Sequence, residues 1–180
     1  NECNLNVGIS SRRAIQRASK EYLFWQTIDW SYDISNLREY LEYLKKYDIV
    51  QGVRPKSLTE RSDNLKKAIV SIINYWIVRI LFRIPLSDFQ NVTFYPTKWI
   101  QSVQYEAVSS FANPEGLIKS YWNGMSIKEV PINFIPRAAG EAKGTRIKAI
   151  VTSVKDILRF WFKWVVLGKR GKIKKGDVVP

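Results

Sequence analysis

The chain has 180 residues, with 29 Lys or Arg against 16 Asp or Glu, for a net charge of +13. Its 46% hydrophobic and 25% charged residues are the mix of a one-domain globular chain, and so much positive charge predicts anionic partners. Histidine is absent and Cys3 is the lone cysteine, which excludes Ser-His-Asp and Cys-His catalysis, His-ligated zinc and a disulfide framework.

Chemistry is left to carboxylates, Arg, Lys, hydroxyls, backbone dipoles and a hard metal held by oxygen. No basic region precedes an apolar stretch at the start, so no signal peptide is expected. The longest apolar stretch, Ala68 to Ile84, is interrupted by Asn74, Arg79 and Arg83, which argues against a membrane span.

In chain order, Ser10 to Lys20 is compatible with a helix. Tyr22-Leu-Phe-Trp-Gln-Thr-Ile28 is aromatic and β-branched, a strand signature, and Asp29 follows it. Ile34, Leu37, Leu41 and Leu44 recur at helical spacing behind Ser35, a natural N-cap. Asp48-Ile-Val-Gln-Gly52 is a short strand. This alternation predicts an α/β fold with a mostly parallel sheet, whose ligands gather at the carboxyl ends of strands, where Asp29 and Arg54 fall.

Leu65 to Arg83 carries an apolar stripe at helical period. Pro96 to Glu106 and Pro114 to Asn123 read as shorter helices, the second ended by Gly124. Ile127 to Phe134 reads as a strand, with Pro131 placing it at an edge or bulge. Thr145 to Leu167 is a further amphipathic helix with a basic polar face. A tail rich in Lys and Gly follows, and the stretch from Arg137 to Pro180 holds +9 of the net charge.

Two groups of residues carry a resemblance. The first is Asn6-Val-Gly8, Tyr22 to Asp29 and Asp48-Ile-Val-Gln-Gly-Val-Arg54. The second is Glu129-Val-Pro-Ile-Asn-Phe-Ile-Pro-Arg137 with Gly140-Glu-Ala-Lys143. Together they resemble the family 2 inverting glycosyltransferases, and within them the branch of dolichol-phosphate mannose synthase and polyprenyl-phosphate hexosyltransferases. The likeness runs from about residue 4 to 165 and starts partway into the family domain. The opening strand–helix units, which hold much of the nucleotide base, are expected before Asn1. The implied organisation is residues 1–144 as the C-terminal two-thirds of a partial, Rossmann-like GT-A domain, residues 145–167 as a basic interface helix and residues 168–180 as a basic tail.

The resemblance implies transfer of a hexose from a nucleotide diphosphate sugar to a lipid phosphate, with Mg²⁺ or Mn²⁺ and basic groups stabilising the departing diphosphate. Asp29 matches the last acid of the family's Asp-x-Asp motif and is the implied catalytic acid and metal ligand. Thr27 stands in place of the first acid, and Asp33, one turn on, is a second candidate ligand. Arg137 and Lys143 match the basic positions near the donor or acceptor phosphate, with Ala142 in place of a serine. Arg54 matches a family basic residue. Lys67 and Ser71 resemble an Arg-x-x-x-Ser pair that meets acceptor phosphate, since i and i+4 share a helix face. Asp88-Phe-Gln-Asn-Val-Thr-Phe keeps the acid of an Asp-x-x-x-Gly-Phe-Arg motif but neither its Gly nor its Arg. Glu115 matches an acid that orients the sugar or an acceptor hydroxyl.

Each of these residues also has a plainer reading. Asp29 would cap a helix, Glu115 would complement a helix dipole, and the Lys and Arg residues would be solvated surface cations. The implied location is cytoplasmic, peripheral at the cytoplasmic face of a membrane, where residues 65–83 and 145–167, with Trp76, Trp161 and Trp164, would meet lipid. No nucleic-acid motif is present, and nucleic acid is not an expected partner. The alternative is an inactive or partial glycosyltransferase relative that serves as a basic, membrane-associated binding module.

Overall fold

The structure is a computed structural model that describes residues 6–24, 35, 37–54, 65–89, 92–132 and 147–170. Asp29, Asp33, Arg137 and Lys143 lie outside these residues, as does the side chain of Lys67.

Among the described residues, six helices surround a four-stranded sheet. In chain order they are α1 (Asn6–Arg17), β1 (Tyr22–Phe24), α2 (Leu37–Leu44), β2 (Ile49–Val53), α3 (Leu65–Phe82), β3 (Thr93–Pro96), α4 (Thr97–Ser102), α5 (Ala112–Trp122), β4 (Ile127–Pro131) and α6 (Ile147–Trp161). A π-helical turn, Phe162–Val166, continues α6 and is closed by the Leu167 N–H donating to Phe162 O at 2.9 Å.

The sheet is open, in the order β1-β3-β2-β4. It is mixed rather than mostly parallel. β3 runs antiparallel to both β1 and β2, while β2 and β4 are parallel. The cause lies in the segment after α3. Asp88 bonds to Arg54, just past the end of β2, and Gly52 N–H donates to Val92 O at 2.8 Å. The chain thus re-enters the sheet at the end it left, and a strand starting there must run backwards. β1, β2 and β4 still point one way.

β3 is not anticipated by the sequence reading, in which Pro96 opens a helix. The helix starts one residue later, and Val92-Thr-Phe-Tyr before it is β-branched and aromatic enough to pair on both sides. α1 begins at Asn6, four residues ahead of the expected Ser10. Tertiary contact decides this: Gly8 N–H donates to Val108 O at 3.1 Å, and a Cβ there would lie 2.3 Å from Ala107 O.

The alternation of strand residues splits the core in two. Ile49 and Tyr95 join the larger cluster, with Val78, Phe82, Phe111, Ile118, Ile157, Phe160 and Trp164. Val50 and Phe94 face the other way and pack with Tyr40 and Leu44 of α2 and Val130 of β4. Phe94 stacks between Phe24 and Tyr40, at 4.7 and 5.2 Å.

Two expected punctuation marks hold. Gly124 has φ +78°, and its N–H closes the end of α5 on Tyr121 O at 3.0 Å. Pro131 is the last residue of β4, which is an edge strand among the described residues.

Candidate functional site

The shared direction of β1, β2 and β4 brings their carboxyl ends to one rim of the sheet. Arg54 stands on this rim directly after β2. Its guanidinium makes a two-pronged pair with Asp88, Nε to Oδ2 at 2.8 Å and Nη2 to Oδ1 at 3.0 Å. Asp88 also accepts from the Phe89 N–H at 2.7 Å and the Arg54 N–H at 3.4 Å. Burial pushes the Asp88 carboxyl up, but the Arg54 charge and the hydrogen bonds outweigh it, so the group lies below the ordinary aspartate range.

Glu129, first residue of the Glu-Val-Pro-Ile run, accepts a hydrogen bond from the Ser87 N–H. The run therefore anchors the segment that carries Asp88, and Asp88 in turn fixes Arg54. Under this rim, buried Thr93 donates to Gln51 Oε1 between β3 and β2, and Gln51 Nε2 donates to Gly52 O at 2.9 Å. The sequence reading flags Arg54 but not its partner. Asp88 is visible in it only as the retained acid of an altered motif.

Glu115 occupies a different setting. In the first turn of α5 it is 0% exposed and accepts from the Glu106 and Ala107 backbone N–H groups, both at 2.8 Å, and from Lys119 Nζ at 2.6 Å. Burial pushes its carboxyl above the ordinary glutamate range despite Lys119 and the backbone donors. Lys119 lies 4.7 Å from the Trp164 ring centre and also donates to Gln104 O. Glu106 completes the network by accepting from Trp164 Nε1 at 3.1 Å and from Lys163. Burial would raise the Glu106 carboxyl, but these donors and the nearby lysines hold it below the usual range. Glu115 thus ties α5, the 104–107 loop and the end of α6 together.

No protein-family model matches this chain. No curated protein matches it either.

Lys67 precedes Ser71 by one turn on α3, so the two share a helix face, and Ser71 is half-buried. A hard dication would need carboxylate and phosphate oxygens. Among the described residues no cluster of three or more acids or cysteines assembles. The acids near the rim, Asp88 and Glu129, are engaged by Arg54 and Ser87. Asp29 and Asp33, which follow β1 in sequence, lie outside the described residues.

Proposed function

We propose that this chain is a GT-A-type glycosyltransferase that moves a hexose from a nucleotide diphosphate sugar to a polyprenyl or dolichyl phosphate. The observation that carries the reading is topological. Three strands point to one rim, and Asp29, Arg54 and Arg137 each follow one of them in sequence. Asp29, with Asp33, would hold Mg²⁺ or Mn²⁺, which offsets charge on the departing diphosphate. Arg137 and Lys143 would grip phosphate oxygens, with Lys67 and Ser71 on the acceptor side. A new bond forms between an acceptor phosphate oxygen and the anomeric carbon as the bond to the donor diphosphate breaks, with inversion. The acceptor is already anionic, so no strong base is required.

Isothermal titration of the chain with UDP- or GDP-hexose, with and without Mn²⁺, tests the donor half. Metal-dependent binding is expected, weakened more than about tenfold by Asp29→Ala, since even outer partners of a bound metal contribute that much. Labelled hexose should then appear on polyprenyl phosphate. Label on sugar or protein hydroxyls alone would refute the acceptor class.

A second reading has its own support. Arg54 and Glu115, two of the implied site residues, are engaged by partners within the protein. That suits a partial relative whose remaining role is binding at a membrane surface, and absence of any nucleotide-sugar binding would favour it.

A further inference from the structure

α3 packs against α6, and the two share a core through Val78 and Phe82 on one and Ile157, Phe160 and Trp164 on the other. Both helices also carry exposed apolar residues. On α3 these are Ile69, Ile73, Trp76 and Ile80, at steps of four, three and four. On α6 they are Val151, Val154 and Leu158, at steps of three and four, and Phe162 and Val166 continue the row through the π-helical turn. Alternating three and four is the heptad spacing of a seam between packed helices, where each side chain fills a hole in the facing helix.

The seam on α6 is narrow. Asp156, Ile157 and Phe160 are buried, and the cations Lys155 and Arg159 stand directly after Val154 and Leu158. A strip of this width suits a facing helix better than a lipid surface, which has no holes to fill and favours a broad apolar face. Charge says which helix. α3 contains no acidic residue, and the single acid of α6, Asp156, turns inward to accept from Ser109 Oγ at 2.6 Å. Lys155 and Arg159 are exposed one turn apart and make a row of positive charge beside the seam. Such flanking rows choose a partner helix by opposite charge. A second copy of the chain is the wrong occupant, because a two-fold contact through this face would set cations against cations.

We propose that the outer face of α3 and α6 docks an amphipathic helix of a partner protein, with aliphatic side chains along its seam and a row of Asp or Glu facing Lys155 and Arg159. The proposal goes beyond the transferase reading and uses none of the residues assigned to that site.

The test is fluorescence anisotropy of a labelled synthetic peptide of about three heptads, with Leu at its seam positions and Glu at the flanking ones, titrated with the full chain. Its own charges keep it from self-pairing. Binding is expected, and a peptide with Lys in place of Glu should bind about tenfold or more weaker. Ile80→Glu with Leu158→Glu should weaken the Glu peptide by a similar factor, with the far-ultraviolet dichroism unchanged because both positions are exposed. Lys155→Glu with Arg159→Glu should invert the preference, so that the Lys peptide binds the variant more tightly than the Glu peptide does. The proposal is overturned if the unmodified chain does not bind the Glu peptide or binds both peptides alike, or if the paired charge reversal leaves the preference as it was. It also falls if the Ile80 and Leu158 changes dissolve a dimer instead, or if vesicles of phosphatidylcholine and phosphatidylserine bind this face and displace the peptide.

Discussion

Glu115→Gln is expected to lower the unfolding free energy by about 3 kcal/mol. The carboxylate accepts three hydrogen bonds in a setting with no exposed surface. An amide offers one oxygen, so it strands a backbone N–H of Glu106 or Ala107 and turns an NH₂ group toward the Lys119 ammonium. Lys119 then keeps only Glu106, at 3.5 Å, Gln104 O and the Trp164 ring. Urea denaturation reads the loss as a lower midpoint at unchanged slope. Adding Lys119→Met should recover part of it, because removing both charges leaves no buried charge unpaired. A midpoint within error of the unmodified protein would mean that Glu115 is not the structural tie described above.

The pH dependence of this site has a definite sign. The folded-state value of Glu115 is raised, so the folded protein holds its proton more tightly than the unfolded chain does. Stability from this group is fully present below the ordinary glutamate value and declines as pH rises through the folded value. Ionised Glu115 is thus tolerated rather than favoured, and its worth lies in the donors it satisfies.

Asp88→Asn should cost about 3 kcal/mol at neutral pH, because it leaves the Arg54 guanidinium, 13% exposed, without its counter-charge. Here the sign is opposite. The folded value of Asp88 is lowered, so its contribution is present above the ordinary aspartate value, about 3.9, and disappears as pH falls through the folded value. The difference between variant and unmodified protein should therefore shrink when urea titrations are repeated toward pH 3. A difference that stays constant with pH would mean the loss comes from packing and not from the ion pair. The same substitution frees Arg54 from its carboxylate. If Arg54 serves a phosphate, the variant should bind nucleotide sugar or lipid phosphate differently even where its fold is intact.

The sequence located most of the elements by periodicity. The stripe from Leu65 fixed α3 almost to its last residue, and Gly124 marked the end of α5, because helical spacing and a left-handed cap are local properties. Pro131 marked an edge strand for the same reason: a residue without an N–H cannot donate to a strand on its far side. The site was legible only in part. Arg54 was visible as a cation after a strand, but its partner lies 34 residues away, beyond α3.

The amino-acid sequence alone determined the positive charge, the exclusion of histidine and disulfide chemistry, and the two amphipathic stripes. Tertiary structure decided the reversal of β3, the pairing of Arg54 with Asp88, the burial of Glu115 and which side of each stripe stays outside. The reason is physical. Helical period and turn chemistry are set by neighbours in the chain, whereas strand direction, ion pairing and burial depend on which distant segments arrive at the same place.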